Sequence, residues 1–521
     1  MKFPAEIIEI VASHLSPSDQ YQGLTVCRNW YQPFCRSLYR HIQFKDRQQF
    51  KKWFSSQHKD LVRSIQFGTS EKYHSQQQQI SVDRVTGAIP LHSTRVGVTS
   101  DELVAILNEL PLLDSIQFDS RLWQYLNTQQ VQKAAKDRLL ALPALDHPKQ
   151  LSFIQSKRGL LMSRLHLRGS DIFKLHKKNL FLKIFQSTPF LEELIIDADG
   201  IGDAKHAMLF SIQDIEVLHL SLPNLKRLDL IDSVRLVESS SSFDNQQAIA
   251  ARPSRLEKLH LSVLIEKYAI PQWFRYFSWK YPQLFELTLS LSSPFQIPRQ
   301  QMAPENQEKL DLASFINSLA RLEKLVIDNN TSRQYLCDTT ISPKNKYLNQ
   351  LQLGLWGDSL ETTVKALQCV ISSPGMTHST SYLCIPLWSS QNSIDFSVLA
   401  NLRQLAHLEV MDKSGQQLKQ NSAHHDNNDQ TNSGYPIDII LASCPYLTSL
   451  KLVNGQITAK QLLQRQSHSN LRSIRMDRVA IHETNDLFTC LSATCQNLKD
   501  IFLRQCISDS FDLVMSNSNL C

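Results

Sequence analysis

The chain has 521 residues, 42% of them hydrophobic and only 20% charged, with 14 Gly, 20 Pro and 10 Cys. That apolar share excludes general disorder, and the length suffices for a large core or several domains. Glycine is below half of its usual share of ~7%, and no G-x-G-x-x-G, G-x4-G-K-[ST], H-E-x-x-H or G-x-S-x-G string occurs, which argues against the well-marked nucleotide and hydrolase classes. The formal net charge is +6, and it is concentrated at the start: residues 1–65 hold ten Lys/Arg against five acids, whereas the rest is nearly balanced. A basic head on a neutral body suits an acidic partner. No dense Lys/Arg stripe runs with aromatics, so nucleic acid is not expected as the partner.

The opening MKFPAEIIEIVASHL carries acids within its apolar stretch and has no small-residue cleavage site, so it does not read as a signal peptide. No run of 18 apolar residues occurs, so no membrane span is expected. The cysteines form no C-x-x-C pair and sit mostly within hydrophobic patterns, which fits free thiols in a reducing compartment, the cytoplasm or nucleus. The final Ser-Asn-Leu-Cys places Cys521 last and is no prenylation box.

Residues 1–45 read as three short helices. Pro4 suits a first helical position, and Ile7, Ile8, Val11, Ala12 and Leu15 recur at helical spacing to about His14 or Leu15. Ser16-Pro17-Ser18-Asp19 restarts a helix, with Ser16 as N-cap, Pro17 at N1 and an acid at N3, running to about Val26. A third begins near Arg28 and carries Trp30, Tyr31, Phe34, Cys35, Leu38 and Tyr39. Such a module buries too little surface to stand alone.

The segment resembles an F-box, on Pro4, Glu6, Ile7, Ile8, then Leu15, Pro17 and Asp19, then Val26-Cys27-Arg28-x-Trp30, and finally Leu38-Tyr39. Phe3 stands where Leu is common, and Gln20 where Leu normally follows the Asp, which implies weaker adaptor binding. The resemblance implies docking on a Skp-type adaptor and, through it, a cullin-based ubiquitin ligase. The adaptor contacts it implies are Pro4, Ile7, Ile8, Leu15, Val26, Cys27 and Trp30.

From residue 46 onward one signature returns: Leu, two residues, Leu or Ile, any residue, an apolar residue. Strict copies start at Leu113, Leu191, Leu225, Leu256, Leu322, Leu348, Leu447, Leu471 and Leu498. Shuffling would yield roughly one or two. Looser copies start at Val62, Met162, Leu284, Thr380 and Leu405. From Leu191 the starts lie 24 to 42 residues apart, with amphipathic stretches between them such as Thr363–Ile371, Ile437–Ala442, Lys460–Gln466 and Asn485–Ala493. A strand plus a helix at this period resembles leucine-rich repeats, and implies an α/β solenoid: a curved parallel sheet with helices on its convex side. The weakest stretch is 62–162, where a helix over Val131–Leu142 intervenes; the stretch Asp509–Met515 would cap the end.

Polar insertions are expected near 70–90, 238–252 and 412–434. The last contains His424, His425, Asp426 and Asp429, but adjacent histidines in a polar loop lack the spacing of a metal site, so no metal and no cofactor is expected. Strand alternation turns the first, fourth and sixth motif positions inward and the fifth toward the concave face. That row, with Gln352, Cys384 and Glu409 among its members, keeps no constant charge, but Lys451, Arg475 and Arg504 make the C-terminal end basic and suit an acidic or phosphorylated client. No catalytic constellation follows from spacing. The chain reads as a non-catalytic substrate receptor that binds an adaptor at one end and an unidentified client on its repeats. The alternative is a repeat scaffold or small-GTPase regulator whose first helices are only a cap.

Overall fold

A computed structural model describes residues 3–44, 47–55, 58–67, 98–118, 126–135, 139–145, 161–168, 184–197, 208–237, 253–266, 269–292, 315–327, 347–354, 360–372, 374–387, 394–412, 435, 437–457, 470–481 and 484–508. They fall into two compact units, one of Met1–Met208 with Asp214–Ser233, the other of Leu209–Gln213 with Val234–Cys521. The expected insertions near 70–90 and 238–252, nearly all of 412–434, and the stretches Lys460–Gln466 and Asp509–Met515 lie outside the described residues.

The first unit opens with helices α1 (Ala5–Ser13), α2 (Pro17–Gly23) and α3 (Arg28–Arg40). The Ser16 hydroxyl accepts from the Asp19 amide at 3.2 Å, so α2 starts on the cap its sequence specifies. It ends at Gly23, three residues earlier than the pattern suggested. α3 then runs without a break into strand β1 (His41–Phe44), which pairs in parallel with β2 (Ser64–Phe67), Ile42 facing Ile65. Parallel pairing continues through β3 (Ser115–Gln117), β4 (Leu139–Ala141), β5 (Leu161–Arg168), β6 (Glu193–Asp197) and, past the short β7 (Met208–Phe210), to β8 (Arg227–Leu236). Helices Arg47–Phe54, Ser100–Glu109 and Thr128–Ala134 lie between successive strands.

The second unit continues the scheme with β9 (Lys258–Ile265), β10 (Glu286–Ser292), β11 (Lys324–Ile327), β12 (Gln350–Gly354) and β13 (Thr380–Leu387). β14 (His407–Asp412), β15 (Ser449–Val453), β17 (Ser473–Asp477) and β19 (Asp500–Arg504) complete it, each parallel to the one before. A second ladder is made by the two-residue strands β16 (Gln456–Ile457), β18 (Ala480–Ile481) and β20 (Ile507–Ser508). The turn before each of them holds one non-glycine residue at positive φ: Asn454 at 60°, Arg478 at 57° and Gln505 at 52°. Helices Ile270–Lys280, Leu360–Ser372, Ile437–Ser443 and Thr484–Thr494 supply the other layer.

All fourteen copies of the sequence signature lie on strands. Their fourth and sixth residues are buried in every copy but the last, from Ile65 and Phe67 through Leu194 and Ile196 to Ile474 and Met476; in β19, Ile501 and Leu503 are half-buried. Parallel strands with alternating helices, in register at the motif leucines, are the α/β repeat organisation that the sequence implied.

Three details depart from the reading. The helix expected over Val131–Leu142 stops at Ala134, and Leu139–Ala141 is a strand, held by parallel pairing with Leu161–Arg168. His41–Phe44 is a strand of the sheet rather than the tail of the helical module. Between β12 and β13 the register slips, so Gln352 faces Tyr382 and Cys384 faces Gly354; Cys384 is buried.

Candidate functional site

The helical module closes a small core of its own. Ile8 and Ala12 of α1 meet Phe34 of α3, with Leu24 and Trp30 packed against them. Trp30 stacks on Phe34, the rings 5.3 Å apart and nearly parallel. The Gln20 amide, mostly buried, donates to the Ala12 carbonyl at 2.8 Å and to the Leu15 carbonyl at 3.1 Å, satisfying the orphan end of α1. Gln20 is therefore an internal cap of α1.

With that core complete, the module still presents Phe3, Ile7, Ile10, Val11, Leu15, Tyr21, Val26 and Tyr31 to solvent, half of the sixteen large hydrophobics exposed among the described residues, all within its first 31 positions. Lone exposed apolar side chains are ordinary; a concentration of this kind on one small module marks a docking surface. α1 is the clearest case. Ile8 and Ala12 face inward, and Ile7, Ile10 and Val11 remain outside, so the helix is apolar on more than the face its own core uses.

Of the implied adaptor contacts, Pro4, Ile7, Leu15, Val26 and Cys27 are exposed. Ile8 is not available: only 5% of it is exposed, and it belongs to the module's core. Trp30 is half-buried on Phe34, so one face of the indole serves the core. Phe3, Ile10, Val11, Tyr21 and Tyr31 enlarge the exposed apolar surface beyond the implied contacts. Of these, Ile10 lies off the stripe of Ile7, Ile8, Val11, Ala12 and Leu15.

The second candidate surface lies on β14, β15, β17 and β19, on the face opposite the motif leucines. Glu409, Lys451, Arg475 and Phe502 form one register row, and Met411, Val453, Asp477 and Arg504 the next. Lys451 is held by Glu409 at 2.8 Å, and Glu409 also accepts from the Tyr382 hydroxyl at 2.9 Å. Arg475 pairs with Asp477 at 3.1 Å. The expected basic trio is thus brought onto adjacent strands, but Lys451 and Arg475 are already neutralised there, and Arg504 alone of the three keeps an unpaired charge among the described residues.

Among the described residues no group of three or more His, Cys, Asp or Glu has the geometry to hold a metal ion. His424, His425, Asp426 and Asp429 lie outside them. No helix among the described residues is long and apolar enough to cross a membrane.

Fold and site together define an α/β repeat protein with a helical module that keeps an uncovered apolar face. No family model matches the chain, and no curated protein matches it. Among solved structures it is similar to a chain of the Rad7–Elc1 complex of yeast, with 14% identity over 78% of this chain and 88% of that one at a TM-score of 0.37. It is also similar to the leucine-rich repeat-containing protein LegL7 of Legionella pneumophila, with 12% identity over 67% of this chain and 87% of that one at a TM-score of 0.29. Neither overlay is close, and the repeat organisation rests on the strand register and buried leucines described above.

Proposed function

We propose that the chain is the substrate-receptor subunit of a Skp–cullin–F-box ubiquitin ligase. Helices α1–α3 act as the F-box and dock on a Skp-type adaptor, and through it on a cullin; the sheet face of the repeats holds a client protein. The observation that supports this reading most is the apolar surface of α1–α3, left outside although Ile8, Ala12 and Phe34 already complete the module's core. A cap that only closes the repeats has no use for Ile7, Val11, Tyr21 and Val26 on its outer surface. The fit of Pro4, Glu6, Ile7, Leu15, Pro17, Asp19 and Val26-Cys27-Arg28-x-Trp30 to the F-box pattern supplies the partner's identity.

The mechanism is proximity. The receptor contributes binding energy and orientation, and does no covalent chemistry of its own. It needs no metal or cofactor, and it works where such ligases and free thiols coexist, in the cytoplasm or nucleus. Exposed Arg28, Arg36 and Arg40 steer an acidic adaptor, speeding its arrival and making it salt-dependent.

The test is a purified pull-down of a Skp-type adaptor by the full chain and by an Ile7→Ser, Val26→Asp variant, with thermal melts of both. Both substituted residues are outside the core, so the variant keeps its fold. Capture by the intact chain and its loss in the folded variant establish the receptor reading. No capture by either leaves the module as a cap of a repeat scaffold.

A further inference from the structure

Outside the helical module, one feature combines a cavity, unpaired charge and a buried unsatisfied atom. A depression of about 320 Å³ opens on the sheet face between β14 and β19. Arg478 and Arg504 line one side of it, Lys451 and Glu409 the other, and Asp477 lies between them.

The charges in it do not cancel. Glu409 is taken by Lys451 and Tyr382, and one oxygen of Asp477 by Arg475. Arg478 and Arg504 are exposed, and neither has an ion-pair partner among the described residues. Arg478 is presented there by the positive-φ turn that follows β17, with its amide bonded to the Arg504 carbonyl at 2.7 Å, so the two guanidinium-bearing segments are tied together. Asp477 is only 8% exposed, yet its Oδ1 has no hydrogen-bond partner. A buried carboxylate oxygen left without a donor is costly, and such an exception calls for an explanation.

We propose that this depression binds an acidic, extended protein segment: carboxylates of the segment pair with Arg478 and Arg504, and one backbone N–H donates to Asp477 Oδ1. A bare anion fits poorly, because it would bring more negative charge to Asp477 and no donor. An extended chain carries both functions, since alternate side chains share one face while backbone N–H groups point out along its edges. Guanidinium groups take carboxylates in paired hydrogen bonds, which makes two unpaired arginines a strong acidic-group reader. Naming the segment as that of a client rests on the receptor reading above; the binding itself does not.

The experiment measures fluorescence anisotropy of labelled peptides with the full chain at about 0.15 M salt, where surface attraction is screened. The probes are an acetylated alternating Ala/Glu peptide, its Gln counterpart, its phosphoserine counterpart, and the Glu peptide N-methylated at alternate backbone positions. The Glu peptide binds at least about tenfold tighter than the Gln peptide. Arg478→Gln with Arg504→Gln removes that advantage, Arg472→Gln outside the depression leaves it, and N-methylation weakens binding about fivefold or more. Failure of the Glu peptide to bind below about 1 mM overturns the proposal, as does equal binding of the Glu and Gln peptides or unchanged binding by the double variant. Tighter phosphoserine binding, together with Glu-peptide binding that survives N-methylation, overturns it in favour of a simple anion site. The adaptor pull-down uses residues far away in the sequence, so its failure and the failure of this site are read separately.

Discussion

The ring of Phe34 occupies the space where a β-carbon on Gly23 would stand, so α2 approaches α3 as closely as the backbone allows. Only glycine, without a side chain, permits that approach. Phe34 is fully buried and stacked on Trp30, so it has nowhere to turn. Gly23→Ala is therefore expected to destabilise the module by about 1–3 kcal/mol, the usual cost of overpacking. The check is proteolysis of the native chain: the variant is cleaved within residues 3–40 at lower protease concentration, while the second unit stays protected. Equal susceptibility of both proteins would remove the close-approach argument.

Gln20 supplies a second prediction, against the expectation drawn from the family pattern. Were its position an adaptor contact, Gln20→Leu would restore the usual residue and tighten adaptor binding. In the structure the Gln20 amide holds the Leu15 carbonyl and shares the Ala12 carbonyl with the Leu15 amide. The leucine leaves the Leu15 carbonyl without that donor, at a cost of about 1 kcal/mol or more. The expected outcome is a lower melting temperature with no gain in adaptor affinity, measured by calorimetry and by titration.

How much of this was legible beforehand differs between the two surfaces. The repeat strands were readable because the motif leucines are buried and periodic, and burial imposes a pattern on sequence. β4 was missed because Leu139, Leu140 and Leu142 form a run too short for its period to separate helix from strand. The cap made by Gln20 was unreadable, since it depends on where α1 ends relative to α2, a tertiary fact. The pairing of Lys451 with Glu409 was equally hidden: the two stand 42 residues apart and meet only through parallel register. The β12–β13 slip, which takes Gln352 out of line with Cys384 while Cys384 stays opposite Glu409, has the same origin.

A pH dependence follows from the ladder of Lys258, Glu286 and Lys324 on β9, β10 and β11. Burial alone would push the Glu286 carboxyl up, but hydrogen bonds from Lys324 at 2.6 Å and from Lys258, 3.1 Å away, outweigh it and hold the carboxyl below its usual range. A carboxylate whose folded pKa is depressed contributes stability that is present above its unfolded pKa and is lost as pH falls through the folded value. Glu286→Gln is expected to lower the melting temperature near neutral pH. The gap from the parent protein should close as pH drops below about 4, the ordinary glutamate range. A gap independent of pH would assign the loss to packing instead.

Cys27 offers a direct footprint of the proposed adaptor surface. It is exposed at the start of α3, beside Val26, whereas Cys35, Cys384, Cys444 and Cys495 are buried. Burial also pushes the Cys444 thiol up to about 12 and Cys495 up to about 11, which keeps both in the unreactive thiol form at neutral pH. Brief iodoacetamide treatment, read by peptide mass spectrometry, is thus expected to alkylate Cys27 well before those four. Addition of a Skp-type adaptor should then slow alkylation of Cys27 severalfold while leaving Cys506, half-buried on the second unit, unchanged. Protection of Cys27 alone places the adaptor on the α2–α3 corner. An adaptor that binds without protecting it would move the interface to α1, where Ile7, Ile10 and Val11 would have to carry the contact.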